Sequence, residues 1–160
     1  MKTLNNMNIL VVGASRGTGL AAVRHLLEAG STVTAFARRA EEIDVEHSRL
    51  RKLNGDALNF EDVRAAVAGQ DAVIVTLGIA ENPLTVRAFG AKSHANDVRS
   101  QGTRNVISAM EQEGIRRLVV QTTYGVGETR DKLGLIDRLF FSLLLKPQIA
   151  DTEIQERDVR

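Results

Sequence analysis

Residues 8–19 of the chain read NILVVGASRGTG. The apolar run from Asn8 to Val12 is typical of a central parallel strand that is covered on both faces. It ends at Gly13, and apolar residues then recur at spacings of three and four from Thr18 to Ala29, which predicts an amphipathic helix. A buried strand, a glycine-rich turn and a helix in this order predict the first unit of an α/β sheet.

The same alternation continues along the chain. Further strands are predicted at 32–37, 50–53, 72–77 and 117–122. Further helices are predicted at 40–46, after the capping residue Asn59, at about 95–113 and from Lys132 onward. Pro147 is predicted to divide the last of these helices into two segments. Strands that alternate with helices indicate a parallel sheet. The predicted fold class is therefore α/β, a three-layer Rossmann fold with five parallel strands in the order 3-2-1-4-5, in one domain over residues 1–160.

The turn places Gly13, Gly17 and Gly19 in the spacing G-x-x-x-G-x-G. Between a strand and a helix, such glycines permit a sharp strand exit, a diphosphate close to the backbone, and a helix close to the sheet. Free N–H groups at the helix start favour the binding of an anion. The hydroxyls of Ser15 and Thr18 are further donors to the same anion. The turn predicts a dinucleotide site, and a tight turn without a ligand is the alternative interpretation.

The second predicted strand ends in Ala37-Arg38-Arg39, at the position where an acidic residue would favour NAD. Arginine carries a planar fork suited to phosphate, so Arg38, helped by Arg16 or Arg39, is predicted to bind the 2′-phosphate of NADP(H). NADP(H) is therefore favoured over NAD(H). The alternative is a solvated basic pair opposite neighbouring glutamates.

The segment Gly55-Asp56-Ala57 follows the third predicted strand. Asp56 is predicted to accept a hydrogen bond from the adenine amino group. The neighbouring Ala57 is predicted to belong to the same cofactor site. An ordinary turn residue before a helix is the other interpretation of Asp56.

Composition narrows the function classes. The 160 residues include 21 basic and 20 acidic side chains and no cysteine, which argues against nucleic-acid binding, a disulfide framework and a thiolate metal site. The basic residues Arg99, Arg104, Arg116 and Arg117 are interpreted as solvated. The three histidines are scattered, so no metal is expected.

Two further patterns have ordinary interpretations. The apolar segment 139–145 is shorter than a membrane span, so no membrane partner is expected. The lack of cysteine and a polar N-terminal stretch without the apolar core of a signal peptide predict a cytoplasmic protein. The match of Gly13-x-Ser15-x-Gly17 to an esterase nucleophile elbow needs acid and histidine partners later in the chain, and the last histidine is His94. A hydrolase is therefore disfavoured.

Together these residues resemble the short-chain dehydrogenase/reductase superfamily, in particular its atypical NAD(P)H-binding branch of NmrA-like proteins and flavin or biliverdin reductase relatives. The segments that carry the resemblance are GASRGTG at 13–19, Arg38, Gly55-Asp56, VTLG at 75–78, GTRNV at 102–106 and RLVVQTT at 117–123. The resemblance implies that Thr76, Leu77 and Gly78 pass beneath the inner ribose of the cofactor. It also implies that Thr122 and Thr123 face the nicotinamide.

The chain departs from that superfamily in two respects. Tyr124 is a candidate proton donor beside Thr123, but Glu128 stands where the main branch has a lysine, so lining the cleft is the alternative role. In the superfamily, the helix that corresponds to residues 150–160 is usually followed by a further strand. The sequence stops inside that helix. We therefore expect a truncated domain, with homo-oligomer contacts through the uncovered sheet edge or through 139–145.

The sequence thus predicts an NADP(H)-dependent oxidoreductase acting on an unknown small molecule, for example a flavin-like or quinone-like acceptor. The alternative from a different class is a non-catalytic NADP(H) sensor of the NmrA-like kind. The same glycine turn serves both functions.

Overall fold

The computed structural model of the chain describes residues 3–78, 97–123 and 146–159. The chain divides into two compact units, one of Met1–Leu77 with Asn105–Gln121 and one of Gly78–Arg104 with Thr122–Arg160. A single domain over residues 1–160 stays a prediction.

The first unit contains a five-stranded parallel sheet. Its strands are β1 (Asn8–Val12), β2 (Thr32–Ala37), β3 (Leu50–Asn54), β4 (Ala72–Val75) and β5 (Leu118–Val120), in the order β3-β2-β1-β4-β5. The described helices are α1 (Gly17–Glu28), α2 (Phe60–Val67), α3 (Val98–Glu113) and α4 (Lys146–Val159), of which α3 enters the first unit at residue 105. The predicted α/β Rossmann class and strand order are confirmed.

The core lies on both faces of the sheet. Leu10 of β1 packs in one apolar cluster with Val63 of α2 and Val106 of α3, whereas Val11 packs in a second cluster with Val23 of α1. All five side chains are fully buried. Because adjacent residues of a strand point to opposite faces, the uninterrupted apolar sequence of β1 supplies both clusters.

The helix predicted at 40–46 is wrong in extent, since the structure has a single 3-10 turn at Ala40–Glu42. The side chain of Asn54, at the end of β3, accepts hydrogen bonds from the backbone N–H groups of Ala40 (2.6 Å) and Glu41 (3.4 Å). Ile43 then continues in extended backbone and is buried. A residue distant in sequence therefore holds this turn in place.

Strands β4 and β5 are shorter than predicted. Each is followed by one more backbone hydrogen bond, from the N–H of Thr76 to Val12 O (2.8 Å) and from the N–H of Gln121 to Val75 O (2.9 Å). The segments 76–78 and 121–123 then run outside regular structure.

In the second unit α4 begins at Lys146 and continues through Pro147. The predicted division of the helical pattern at Pro147 stays a prediction, because the residues before Lys146 lie outside the described ones. Proline is tolerated in the first turn of a helix because its missing N–H would have no intrahelical acceptor there.

Polar side chains join α4 to the first half of α3. The contacts are Asp151 Oδ2 with the N–H of Arg99 (2.9 Å), Asp151 Oδ1 with the N–H of Ser100 (3.0 Å), Gln155 Nε2 with Thr103 Oγ1 (2.9 Å) and Asp158 Oδ2 with Arg104 Nε (2.8 Å). Residues 151, 155 and 158 share one face of a helix by their spacing. Asp151 thus caps the start of α3 from another helix.

Strand β5 is an edge strand of the sheet, and its Val119 side chain is 60% exposed. The segment 139–145 lies outside the described residues. Homo-oligomer formation through either feature stays a prediction. Over the described ranges, every helix falls short of the length and apolarity needed to cross a bilayer.

Burial in β1 is expected to dominate the stability of the sheet. Val11→Ala removes a fully buried side chain and should lower the free energy of unfolding by about 2 kcal/mol, from lost burial and an unfilled cavity. The matched change Val119→Ala on the exposed edge should cost less than about 0.5 kcal/mol. Urea unfolding of both variants checks this, and equal losses would contradict the assignment of the core.

Candidate functional site

The glycine turn after β1 is bound to β2. The N–H groups of Gly13 (3.0 Å) and Ala14 (3.3 Å) both donate to the carbonyl oxygen of Phe36. Gly13 and Gly17 have φ angles of +88° and +55°, the left-handed region that favours glycine. Two of the predicted glycines are therefore required by backbone conformation.

Close approach of backbones explains Gly13 and Gly19. A Cβ atom at Gly13 would lie 2.8 Å from the carbonyl oxygen of Thr76, and one at Gly19 would lie 2.6 Å from Thr76 Oγ1 and overlap Gly13 O. Only glycine lets the start of α1 sit this close to the ends of β1 and β4. The role predicted for Gly19, close packing of the helix on the sheet, agrees with this geometry.

Gly17 is different because the position of its missing Cβ faces open space, with no atom within 4 Å. It is the first residue of α1, and the preceding residue, Arg16, forms no side-chain hydrogen bond that would cap the helix. The first-turn N–H groups of a helix lack intrahelical acceptors. Ser15, Arg16 and Thr18 are exposed beside them, so the turn can accommodate a diphosphate.

Thr76 has a role that the sequence did not reveal. Its hydroxyl lies 3.0 Å from the carbonyl oxygen of Val12 and 3.3 Å from that of Gly13, as a donor to the start of the turn. The resemblance implied only that Thr76 passes beneath the ribose. The structure adds that Thr76 fixes the glycine turn to the end of β4.

Arg38 and Arg39 differ in their partners. Arg39 Nη1 lies 3.3 Å from Glu42 Oε1 in an exposed ion pair, which matches the alternative of a solvated pair. Arg38 is exposed and has no hydrogen bond or ion pair with any described residue. It follows β2, whose Phe36 carbonyl holds the turn, so its guanidinium is available to a ligand near the turn.

Asp56 takes part in the turn that leads into α2. Its Oδ1 accepts from the N–H of Leu58 (3.0 Å), and its own N–H donates to Asp62 Oδ2 (2.9 Å). Ala57 is buried, and its carbonyl oxygen accepts from Asn105 Nδ2 at 2.8 Å. These bonds fit the turn interpretation of Asp56, while the predicted contact with adenine stays a prediction.

The first unit therefore gathers several predicted residues along one edge of its sheet. Residues 13–19, Arg38 and Thr76 directly follow β1, β2 and β4, and Asp56 comes two residues after the end of β3. Parallel strands present their carboxyl ends at the same edge of the sheet. Leu77 is partly buried against the core. No group of three histidine or acidic side chains suited to a metal ion occurs in the part of the chain that the structure describes.

The remaining predicted residues belong to the second unit. Gly78 and Thr122 are exposed, and Thr123 is partly buried with its Oγ1 accepting from Arg99 Nη1 at 3.2 Å. Tyr124, the candidate proton donor, lies outside the described residues. The catalytic roles of Thr123 and Tyr124 stay predictions.

Arg99 is not the solvated residue that the sequence suggested. Its guanidinium is partly buried, and its Nε is buried without a hydrogen-bond partner among the described residues. Burial lowers the pKa of Arg99, while the carboxylate of Asp151 acts in the opposite direction. The helical pattern of α3 did not reveal this, because the groups around Arg99 come from other segments.

Comparisons with known proteins agree with this fold and turn. The model of a family described as NAD(P)H-binding matches residues 13–160. A 3-beta-hydroxysteroid dehydrogenase of Mycolicibacterium neoaurum is 32% identical over 121 residues, which cover 74% of this chain and 32% of that protein. The chain thus spans about a third of the length of this curated relative.

Solved structures show the same fold. ChuY, an anaerobillin reductase from Escherichia coli O157:H7, superposes with a TM-score of 0.70 at 21% identity, covering 95% of this chain and 66% of that one. A short-chain dehydrogenase/reductase from Veillonella parvula in complex with NADP gives a TM-score of 0.71 at 18% identity, covering 96% and 63%.

The close approach at Gly19 can be tested against the open space at Gly17. Gly19→Ala should lower the free energy of unfolding by about 3 kcal/mol, because the new Cβ meets the Gly13 carbonyl, although alanine is by itself the better helix former. Gly17→Ala should cost only about 1–2 kcal/mol, the penalty of a left-handed backbone. Urea unfolding that ranks the two variants in the reverse order would refute this description of the turn.

The hydroxyl of Thr76 should contribute to stability through the turn. Thr76→Val keeps the shape but leaves the carbonyls of Val12 and Gly13 without this donor, and should cost about 1 kcal/mol. Thr76→Ser keeps the donor and should recover most of the loss. If the methyl group, and not the hydroxyl, were responsible, thermal unfolding would instead show the loss in Thr76→Ser and none in Thr76→Val.

Proposed function

The chain belongs to the NAD(P)H-binding family, and from that premise we propose that it is an NADP(H)-dependent oxidoreductase that reduces a small conjugated acceptor. Its resemblance to the short-chain dehydrogenase/reductase superfamily is confirmed by that family and by the fold. The three relatives described above are dehydrogenases or reductases by name, which supports redox chemistry here as well.

The observation that carries the proposal is the open turn at the start of α1. Gly17 has empty space where a side chain would stand, and no side chain caps the N–H groups of the first helical turn within the described residues. A helix start of this kind binds anions through its N–H groups and its dipole. A diphosphate is therefore the group that this turn fits best.

The proposed preference for NADP(H) depends on Arg38. Its guanidinium is exposed and unpaired among the described residues, whereas Arg39 is held by Glu42. An unpaired guanidinium can bind a 2′-phosphate through two parallel hydrogen bonds without first breaking an ion pair. Arg38 is thus the main determinant in this proposal, with Arg16 and Arg39 as helpers.

When bound, NADPH supplies a hydride, and the protein supplies binding and orientation. Thr123 and Tyr124 are the candidate residues beside the acceptor. The chain has Glu128 where a lysine would assist Tyr124, so an acceptor that can take its proton from water, such as a flavin or quinone, suits this site. Residence in the cytoplasm and homo-oligomer formation belong to the same proposal.

Turnover separates the enzyme from an NADP(H) sensor. Purified protein is mixed with NADPH and a panel of quinones, flavins and aldehydes, and oxidation of NADPH is followed by its absorbance. We expect the wild-type protein to oxidise NADPH with at least one acceptor of the panel. Gly17→Asp should abolish this turnover, because a carboxylate would occupy the position of the diphosphate. Tight NADPH binding without turnover across the panel would favour the sensor, and the absence of NADPH binding to folded protein would refute both.

Cofactor preference is tested at Arg38. Arg38→Ala should weaken NADPH binding by about 1.5–3 kcal/mol, the range for a charge-assisted hydrogen bond, and leave NADH binding unchanged. Arg39→Ala should have a smaller effect because Arg39 is already paired with Glu42. The exposed Arg24 of α1 provides a control, as Arg24→Ala should alter neither affinity. Equal losses for both dinucleotides in titration calorimetry would overturn the assignment of Arg38.

A further inference from the structure

The guanidinium of Arg99 uses few of its hydrogen-bond donors. Nη1 donates to Thr123 Oγ1 at 3.2 Å, and Nε is buried without a partner among the described residues. Arginine has five N–H donors in a fixed planar fork and stays protonated in proteins. Most of this fork is therefore unoccupied by the protein groups that the structure describes.

No carboxylate of the described residues forms an ion pair with this guanidinium. Asp151 is the acidic residue beside it, but both of its oxygens accept from backbone N–H groups, those of Arg99 and Ser100, at the start of α3. Placing a charge in a partly buried position without an ion-pair partner costs free energy. An anionic ligand would offset that cost.

Gly78 lies on the Nη2 side of the Arg99 guanidinium. A Cβ atom built on Gly78 would lie 3.4 Å from Arg99 Nη2, so glycine at this position places no side chain against that nitrogen. Gly78 and Thr123 belong to the chain segments that follow β4 and β5.

We propose that Arg99 binds an anionic oxygen group, a carboxylate or phosphate, of the acceptor molecule. This inference rests on the proposed oxidoreductase function and narrows its substrate to acceptors that carry such a group. The anion receives parallel N–H bonds from the Arg99 fork, and Thr123 orients the fork through Nη1. Arg99 is then a specificity residue of the acceptor site.

A direct test uses the NMR signals of arginine Nε–H groups in protein labelled with [15N]arginine, with no dinucleotide present. The Arg99 signal is assigned by its loss in Arg99→Lys. Sodium benzoate and inorganic phosphate, each added at constant ionic strength, should shift this signal saturably. The signal of Arg104, which lies on the same helix and is paired with Asp158, should not move. If the Arg99 signal moves no more than that of Arg104, the proposal is wrong.

The source of the anion is distinguished by a second titration, with NADP+ alone. If NADP+ shifts the Arg99 signal and abolishes its response to benzoate and phosphate, the anion belongs to the dinucleotide and the acceptor assignment is overturned. A retained response in NADP+-saturated protein supports the acceptor. The outcome is independent of turnover, so failure of this inference and failure of the oxidoreductase proposal can be told apart.

A matched pair of flavins tests specificity, since FMN and riboflavin share a ring system and differ by one phosphate. Arg99→Gln should weaken FMN binding about 10- to 150-fold and leave riboflavin binding unchanged, as measured by titration calorimetry in NADP+. Arg104→Gln should alter neither. Equal losses for both flavins would indicate a structural role for Arg99, and wild-type protein that binds FMN no more tightly than riboflavin would also contradict the proposal.

Discussion

The close approach of α1 to the ends of β1 and β4 is the constraint on which the site depends. It requires glycine at positions 13 and 19, because a Cβ at either would meet the backbone or side chain of Thr76. The same approach directs the start of α1, with its uncapped N–H groups, toward the open space beside Gly17. Packing and anion binding therefore have a common origin, since the glycines that allow the contact also leave the helix start open.

The two units use different physical means to hold their parts together. In the first unit, apolar side chains on both faces of the sheet form the core. In the second, α4 contacts α3 through an aspartate cap, a glutamine and an exposed ion pair. The aspartate cap and the glutamine contact are buried, where leaving a hydrogen bond unmade is costly, whereas the more exposed ion pair contributes little. Such contacts suit a segment that positions functional groups, of which Arg99 is the example proposed above.

Several features were predictable from the sequence because their signals are local. The apolar sequence of β1, the spacing of Gly13, Gly17 and Gly19, and the alternation of strands and helices are each visible within a short window. They gave the fold class, the strand order and the place of the turn. The helix at 40–46 failed for the converse reason, as the turn at Ala40 is organised by Asn54, fourteen positions further along the chain.

The sequence by itself determined that a parallel α/β sheet forms and that a glycine turn joins β1 to α1, since periodicity and backbone freedom are properties of neighbouring residues. Only the tertiary structure decided which polar side chains are paired. It joined Thr76 to the turn, Asp151 to the start of α3 and Arg99 to Thr123, and it left Arg38 without a described partner. Hydrogen bonds between residues distant in sequence leave no periodic trace, so these contacts become visible only once the chain is folded.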